Sequence, residues 1–410
     1  MMSSKLVPEL RFKEFSGEWE EKKLGEIATN IMYGMNASAI KYDGYHKYIR
    51  ITDIDEKSRN FLPNPLTSPD GLIDKKFKLI ENDILFARTG ASVGKSYIYK
   101  KYDGDLYFAG FLIKFNINNA VADFIFLYTL KSFYKDWVSI MSIRSGQPGI
   151  NAEEYKLLKL HLPPTPQEQQ KIANTFSSLD NLIEAQTKKV ELLKSHKKGL
   201  MQKLFPRDGA KVPEVRFKEF SGEWEEKTIN QLFKYKNGGS FEKNIIDNGI
   251  YNLITLNSID INGELKNEHK TINIQSDFLN KDDLVMVLSD VAHGNFLGLT
   301  AIIPESNKYV LNQRMGALKS KTNDIITFIR FYINNNQKYF KIHGHGSSQQ
   351  NLSKNDILKF KIFLPTPQEQ QKIADTLSSL DNLIEAQNKK IELLKEHKKG
   401  LMQKMFVGDK

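Results

Sequence analysis

The chain has 410 residues, about three times the usual size of one domain, so we expect more than one hydrophobic core. Its 40% hydrophobic and 26% charged residues are typical of a globular protein and exclude a disordered or fibrous chain. The absence of cysteine excludes disulfides, thiolate zinc sites and cysteine nucleophiles. No run of about 18 apolar residues and no apolar leader occurs, so we predict a cytoplasmic protein without a membrane span.

The net charge of +10 is spread along the chain, and no dense basic tract concentrates it. A mixed-charge surface is usually only solvated, so this excess permits an anionic partner such as nucleic acid without requiring one. The class of partner therefore has to be inferred from motifs rather than from charge.

Two blocks of sequence occur twice and set the organisation of the chain. Residues 7–22 recur at 212–227 with one change, and residues 166–205 recur at 367–406 with 34 identities in 40 positions. The segments between these blocks scarcely resemble each other. We therefore expect one fold used twice, with different loops.

The first variable segment, roughly residues 25–160, is predicted to be rich in strands. Residues 48–54 have β-branched alternation, residues 83–87 are typical of a buried strand, and residues 123–141 are a helix candidate. The glycine-rich stretch after the buried strand resembles a phosphate-binding loop, but Thr89 occupies the place of its first glycine. A strand rather than a helix is predicted to follow, so nucleotide hydrolysis is not indicated.

The repeated residues 166–205 are predicted to form a long helix. Apolar residues step by four and three for about five heptads, a pattern typical of a coiled-coil seam. Gln186 and Lys197 interrupt the first seam, and Gln387 and Lys398 interrupt the second at matching places. We expect the two copies to pair as an antiparallel rod about 60 Å long.

A second apolar edge runs along both helices and has two open interpretations. It could pack under the chain's own globular domain, or it could dock another subunit. As candidate subunit-interface residues we take the following: Leu182, Ala185, Leu192, Leu383, Ala386 and Leu393.

The second variable segment, roughly residues 230–362, is predicted to repeat the same elements. Residues 251–256 and 283–287 are predicted strands, and residues 324–341 are a helix candidate. Corresponding elements in the same order favour an α+β fold with two β-rich domains joined by two long antiparallel helices in approximate two-fold symmetry. The predicted boundaries are 1–162 and 206–363 for these domains, and 163–205 and 364–410 for the helical regions.

Polar residues in loops and at strand ends suit the reading of DNA. Arginine contacts guanine edges, glutamine and asparagine contact adenine edges, and lysine holds phosphates. Each candidate could equally be a turn or capping residue. The candidates are Arg88, Thr89, Ser92, Lys95, Arg144, Ser145, Gln147, Lys236, Asn237, Ser240, His293, Asn295, Arg314, Ser347, Ser348 and Gln349.

No catalytic motif stands out in the chain. His343 and His345 lack a carboxylate or cysteine at metal-ligand spacing, and neither a dinucleotide-binding turn nor a nucleophile elbow occurs. We therefore predict no catalytic residue, no metal site and no cofactor in this chain.

The chain resembles type I restriction–modification specificity subunits over its whole length. The features that carry this resemblance are the repeated helix starts, the two tryptophan blocks around Trp19 and Trp224, and residues 83–90. The resemblance implies that the variable segments are target-recognition domains for double-stranded DNA. It also implies two methyltransferase subunits, which carry S-adenosylmethionine and methylate adenine, and two restriction subunits, which cleave DNA with ATP and Mg.

Two other functions stay open at the level of the sequence. A free-standing DNA-binding regulator would bind its site tightly without other subunits. A scaffold whose variable domains bind proteins would lack a steep salt dependence with DNA.

Overall fold

The computed structural model describes residues 6–207, 209–274, 278–291 and 295–407. It consists of two compact units, each built around its own core. Unit 1 comprises Met1–Thr187 with Lys389–Lys410, and unit 2 comprises Lys188–Asn388. Each long helix therefore contributes one half to each unit.

Unit 1 contains ten strands and four short helices among its described residues. The strands are β1 (Glu20–Lys23), β2 (Ala28–Tyr33), β3 (Ala39–Lys41), β4 (Lys47–Ile49), β5 (Thr67–Pro69), β6 (Asp83–Ala87), β7 (Ser96–Ile98), β8 (Leu106–Phe108), β9 (Leu112–Ile117) and β10 (Lys159–Leu162). The helices are α1 (Leu24–Ile27), α2 (Ala122–Tyr128), α3 (Ser132–Met141), α4 (Ala152–Lys156) and the first half of the long helix α5 (Pro166–Leu204).

Unit 2 follows a similar order of elements, with eleven strands among its described residues in place of ten. Its strands are β11 (Glu225–Thr228), β12 (Phe233–Asn237), β13 (Tyr251–Ile254), β14 (Lys270–Ile272), β15 (Leu284–Val287), β16 (Ser289–Val291), β17 (Thr300–Ile302), β18 (Tyr309–Leu311), β19 (Met315–Ser320), β20 (Gln349–Asn351) and β21 (Lys361–Leu364). Its helices are α6 (Ile229–Leu232), α7 (Ile326–Asn335), α8 (Gln337–Ile342), α9 (Lys354–Leu358) and the long helix α10 (Pro367–Lys404), of which it holds the first half.

Each unit is centred on a four-stranded antiparallel sheet. The strand order is β2-β9-β6-β7 in unit 1 and β12-β19-β15-β17 in unit 2. All five residues of β6 and all four of β15 are buried, as expected for strands covered on both faces. The predicted buried strands and the predicted α+β class, with two β-rich domains and long helices, are confirmed.

Two predicted elements differ in the structure. The helix candidate 123–141 is split into α2 and α3, because the hydroxyl of Thr129 at the end of α2 donates to the carbonyl of Phe126 and bonds Ser96. The candidate 324–341 is split at Asn336, whose side chain bonds back to the carbonyl of Tyr332. Apolar periodicity continues through both breaks, so the hydrophobic pattern alone predicted single helices.

The predicted strands 48–54 and 251–256 are also shorter than expected. In each case the strand ends early and a single turn of 3₁₀ helix follows it, at Ile51–Asp53 and at Leu256–Ser258. In the first, the Asp53 carboxylate accepts from the backbone N–H and the guanidinium of Arg50, which closes the turn. A side-chain acceptor three residues further along the chain thus takes the backbone hydrogen bond that would otherwise continue the strand pairing.

The predicted seam is confirmed within each unit. All of its members are buried or half-buried: Ile172, Phe176, Leu179, Ile183, Gln186, Val190, Leu193, Lys197, Leu200, Leu204 and, in the second copy, Ile373, Leu377, Leu380, Ile384, Gln387, Ile391, Leu394, Lys398, Leu401 and Met405. In unit 1 the Lys398 ammonium lies 2.6 Å from Asp180, and in unit 2 the Lys197 ammonium lies 2.5 Å from Asp381. In unit 1 the ring of Phe176 also lies 6.1 Å from that of Phe406. Because Phe176 precedes Asp180 while Phe406 follows Lys398, the two helix halves run antiparallel there.

A buried charge cluster ties the start of each long helix to the residues of the first repeated block. In unit 1 the Arg11 guanidinium contacts both carboxylate oxygens of Glu168, at 2.8 and 2.7 Å, and the carbonyls of Ser16 and Gly17. Arg216 and Glu369 repeat the arrangement in unit 2. The repeated sequence is thus explained by a repeated anchor.

The last aromatic residue of each long helical repeat enters the core of a unit. Phe406 stacks on Phe124, with ring centroids 5.2 Å apart, and packs edge-on against Trp19. In unit 2 Phe205 packs edge-on against Phe328 at 5.5 Å. In each unit, then, a helix start and a helix end are both fixed to the same β-rich domain. Among the described residues, no helix is long and apolar enough to cross a membrane.

Candidate nucleic-acid interface

Two of the predicted polar clusters come together in unit 1. The loop between β6 and β7, residues 88–95, lies against residues 144–149. The backbone N–H of Gly90 donates to the carbonyl of Pro148 at 3.0 Å, and the N–H of Ile150 donates to the carbonyl of Arg88 at 2.9 Å. Arg88, Thr89 and the exposed Gln147 therefore share one surface, although about sixty residues separate them in sequence.

Arg88 is held by two aromatic rings that the sequence analysis did not identify. Its guanidinium carbon lies 5.1 Å from the ring centre of Tyr33 and 5.8 Å from that of Phe111. Its Nε atom is shielded from solvent and has no hydrogen-bond partner among the described residues. The rings restrict the side chain through cation–π attraction, which prepares it for a planar partner.

Two other predicted cations are already used inside the protein. The Lys95 side chain is buried, and its ammonium donates to the carbonyl of Ile54 at 3.0 Å and pairs with Glu56 at 2.7 Å. The Lys95 ammonium in turn lowers the pKa of the Glu56 carboxyl. The Nη2 atom of Arg144 donates to both carboxylate oxygens of Glu154. Both side chains are therefore engaged within the protein and do not present a free charge. The sequence could not reveal this, because the partners of Lys95 are about forty residues away and the partner of Arg144 lies on α4.

Two buried tyrosines fix the ends of the 88–95 loop. The Tyr155 hydroxyl donates to the carbonyl of Ala87 and the Tyr134 hydroxyl donates to that of Gly94, both at 2.8 Å. Burial raises the pKa of both phenols, so they are protonated donors throughout the neutral range. The loop is consequently anchored at both ends by the core of unit 1.

Gly94 provides the first testable prediction. Its φ is +84°, and an added Cβ would lie 2.6 Å from a methyl carbon of Val138. We expect Gly94→Ala to lower the free energy of unfolding by more than the ~1–2 kcal/mol that a left-handed conformation alone costs an L-residue. Gly146→Ala is the control, because an added Cβ there meets nothing within 4 Å. Urea denaturation should separate the two variants, and equal stability would contradict the packing argument.

The remaining candidates of unit 1 lie on the surface of the same two segments. Ser92 is half-buried, and its carbonyl accepts from the backbone N–H of Lys95 at 3.0 Å. Ser145 is exposed beside Arg144. The Thr89 hydroxyl makes a long hydrogen bond of 3.4 Å to the carbonyl of Pro148.

Unit 2 has a corresponding surface of different composition. The N–H of Leu288 donates to the carbonyl of Arg314 as that of Arg88 does to Phe111, and the N–H of Leu352 donates to the carbonyl of Leu288. Leu288 thus takes the position of Arg88, and Arg314 takes that of Phe111. In unit 1 the arginine is the residue whose N–H donates, and in unit 2 it is the residue whose carbonyl accepts.

Arg314 lies in a shallow depression of the unit 2 surface, which Ser289 and Gln349 also line. The amide of Gln349 donates to the hydroxyl of Ser289 at 2.6 Å, across the pairing of β16 with β20. Ser347 and Ser348 are exposed in the turn that precedes β20. Four of the predicted residues, Arg314, Gln349, Ser347 and Ser348, are therefore brought to this part of unit 2.

The other unit 2 candidates lie at neighbouring strand ends. Lys236 and Asn237 end β12, and Ser240 follows the turn in which the N–H of Gly239 donates to the carbonyl of Leu311 at 2.9 Å. The Asn237 amide oxygen accepts from the hydroxyl of Tyr235, a phenol whose pKa burial raises to about 12. Asn295 is exposed and accepts from Lys341 at 3.3 Å, and His293 lies outside the described residues.

The second apolar edge of the long helices is exposed in both units. In unit 1 the exposed fractions are 39% for Leu182 and 57% for Leu393, and in unit 2 they are 63% for Leu192 and 44% for Leu383. Ala185 and Ala386 are exposed beside them. Within the described residues, these side chains do not pack under a globular domain.

The two histidines considered as metal ligands have ordinary partners. His343 Nδ1 lies 2.8 Å from the carbonyl of Tyr339, and His345 Nε2 lies 3.4 Å from Asp356. Among the described ranges of the chain, no group of three or more His, Asp or Glu side chains is arranged to hold a metal ion.

Two units with corresponding surfaces, different side chains and a repeated helical sequence define a duplicated protein. A family model for the type I restriction modification DNA specificity domain matches residues 16–194 and 221–396. The chain therefore belongs to the type I restriction–modification specificity subunits, the family that its sequence resembles. Subunits of this family confer specificity, so the prediction of a non-catalytic subunit is confirmed.

Two curated relatives from Methanocaldococcus jannaschii are similar along nearly their whole length. The type I restriction enzyme MjaVIII specificity subunit is 27% identical over 98% of this chain and 96% of its own. The putative type I restriction enzyme MjaX specificity subunit is 27% identical over 96% of this chain and 94% of its own.

Solved structures share the fold. The crystal structure of a type I restriction–modification S subunit from M. genitalium has a TM-score of 0.62 at 17% identity, covering 98% of this chain and all of that one. A structure from work on complex assembly and conformational transition of the type I system has a TM-score of 0.61 at 13% identity, covering 97% of this chain and all of that one.

Proposed function

We propose that this chain reads an asymmetric, bipartite target in double-stranded DNA, one half-site for each unit. We further propose that it is the scaffold for two methyltransferase and two restriction subunits. The observation that carries the first part is the exchange of Arg88 and Phe111 in unit 1 for Leu288 and Arg314 in unit 2. Corresponding positions with different chemistry suit one mode of docking applied to two different sequences.

The candidate side chains match the edges of bases in the major groove. A guanidinium forms two parallel hydrogen bonds with N7 and O6 of guanine, so Arg88 and Arg314 are each suited to one guanine in their own half-site. Gln147 and Gln349 carry the amide that pairs with adenine N6 and N7. Exposed serine hydroxyls and backbone N–H groups beside them suit phosphates, which fix position without carrying sequence information.

The repeated helices support the scaffold role. Leu182, Leu192, Leu383 and Leu393 are exposed at matching positions of a sequence that is nearly identical in both copies. One partner surface could therefore bind to each copy, which suits two copies of a methyltransferase subunit. In this proposal S-adenosylmethionine, ATP and Mg are held by the partner subunits, and the base to be methylated is extruded by them.

Exchange of one recognition segment tests the proposal. Residues 25–160 are replaced by the corresponding segment of another specificity subunit, and methylated adenines are mapped by single-molecule sequencing in a host with the partner subunits. We expect one half-site to change and the other to stay. Changes in both halves would contradict the assignment of one half-site to each unit.

Two further measurements separate the alternatives. Co-purification with a methyltransferase subunit distinguishes a specificity subunit from a free-standing regulator. The affinity for DNA across salt concentrations distinguishes a DNA reader from a protein-binding scaffold, because phosphate contacts give a steep dependence on salt.

A further inference from the structure

A large basic groove in unit 2 is not explained by the contacts described above. It has a volume of about 1800 Å³ and is bounded by the second half of α5, the first half of α10, helices α7 and α8, and the loop 260–267. All of its walls belong to unit 2. Eight lysine or arginine side chains and four carboxylates line it, so the groove carries excess positive charge.

The cations at the edge of the groove are not neutralised by the protein. Lys194, Lys198, Lys266 and Lys338 are exposed, and their ammonium groups have no ion pair or hydrogen bond within the part of the chain that the structure describes. By contrast, two carboxylates that line the groove are already paired, Asp381 with Lys197 and Glu264 with Arg330. The positive charge is therefore directed to whatever enters the groove.

Two buried polar groups in the groove wall also lack partners. Both amide atoms of Gln337 are shielded from solvent and make no hydrogen bond among the described residues. Arg330 is 5% exposed, and its Nε atom is likewise without a partner there. Buried polar groups are nearly always satisfied in native proteins, but these atoms are shielded from solvent, so a ligand in the groove would first meet the exposed lysines.

The groove borders one part of the candidate nucleic-acid interface of unit 2. Asn295, four residues after the end of β16, lines the groove and accepts from the ammonium of Lys341. His343 lines the groove as well, two residues before His345, which pairs with Asn351 of β20. A duplex contacted at Asn295 would lie close to the groove.

Only part of the charge of the groove differs from unit 1. The cations of α5 recur in α10 as Lys395, Lys398 and Lys399, whereas the position of Lys338 does not keep its charge. An added Cβ at Gly94 meets Val138, and one at Gly298, the corresponding loop position, meets Phe340. This correspondence places Asp136 at the position of Lys338. A protein partner that binds both repeats in the same way would require the same charge at this position in both units. DNA with an asymmetric target does not impose that requirement.

We propose that this groove binds the sugar–phosphate backbone of the DNA adjoining the second half-site, by contacts independent of sequence. The inference rests on the proposed function, since it requires that unit 2 contacts DNA. In this proposal Lys266 and Lys338 bind phosphates beside the second half-site, and no corresponding pair of lysines binds phosphates beside the first. Their contribution is to affinity, and base selection is left to the loops.

The test uses the full chain in complex with its methyltransferase subunits. For Lys266→Ala/Lys338→Ala, we expect the slope of log K against log salt concentration to become shallower by about 2, because each phosphate that a lysine no longer neutralises reduces the slope by about one. The loss of affinity should be equal for target and non-target duplexes, and the methylated sites should stay the same. Phosphate ethylation should interfere with binding beside the second half-site in the unaltered complex and not in the variant.

Lys218→Ala/Lys359→Ala is the matched control, because both lysines are exposed, are unpaired among the described residues and lie outside the groove. It removes the same charge and should leave the slope unchanged. An unaltered slope in the groove variant, with methylation intact, would overturn the inference and leave the proposed function standing. Loss of methyltransferase co-purification with an unaltered slope would assign the groove to a protein partner instead. Failure of the unaltered complex to methylate a defined site would contradict the proposed function itself.

Discussion

Replacing Glu168 with alanine is expected to lower the free energy of unfolding of unit 1 by about 3–5 kcal/mol, the usual effect of removing one partner of a buried ion pair. The Glu168 side chain is 1% exposed and accepts two hydrogen bonds from the Arg11 guanidinium. Its loss leaves that guanidinium, 12% exposed, with only the carbonyls of Ser16 and Gly17. The start of α5 is thereby released from the residues that precede β1.

Urea denaturation followed by tryptophan fluorescence measures this effect, since Trp19 and Trp137 lie in unit 1 and Trp224 lies in unit 2. Glu369→Ala should produce the same loss in unit 2, where Arg216 takes the role of Arg11. The control is Glu14→Ala, which removes an exposed pair with Lys171 and should cause no resolvable change. If Glu168→Ala were as stable as this control, the anchor would have no structural importance.

Introducing charge on the exposed helix edge is expected to abolish assembly with methyltransferase subunits. The variant Leu192→Glu/Leu393→Glu alters the same position in both repeats, where the leucines are 63% and 57% exposed. Folding should be preserved because neither side chain is in a core. A carboxylate buried without a partner costs several kcal/mol, and each 1.4 kcal/mol weakens binding tenfold, so we expect at least a ~100-fold loss of affinity.

Co-purification and analytical ultracentrifugation measure this loss. Leu72→Glu is the control, because this leucine is fully exposed in unit 1 and is not part of a long helix. It should leave assembly unchanged. Normal assembly of the double variant would show that this edge is not the docking surface, and would leave the reading of DNA by the two units untouched.

The elements that could be predicted from the sequence are those in which one local pattern dominates. The seam from Ile172 to Leu204 repeats over ten positions, and β6 is apolar at four of its five positions, so burial follows from composition. The glycine-rich residues 88–95 were predicted to lie between two strands, and they form the connection between β6 and β7. The breaks inside 123–141 and 324–341 were not predicted, since Thr129 and Asn336 end helices through contacts that the apolar pattern does not contain.

The candidate site was predictable by residue type and not by environment. Gln147 and Arg314 are exposed and Arg88 is half-buried, and the contact of all three with DNA stays a prediction. Lys95 was grouped with Arg88 because both are cations in one loop, yet a buried contact with Ile54 and Glu56 engages its ammonium. Tyr33 and Phe111 carry no motif, and only their positions on either side of Arg88 make them relevant.

The sequence by itself determined that the chain is duplicated, that its long helices pair along a seam, and that the two β-rich segments differ. Those properties depend on repetition and on periodic burial, which are local and additive along the chain. The tertiary structure alone decided which cations are free and which surfaces are exposed. It also decided that Leu288 takes the position of Arg88, and that Arg314 takes the position of Phe111. Such properties depend on neighbours that are distant in sequence, because the availability of a charge is set by the partner that folding brings to it.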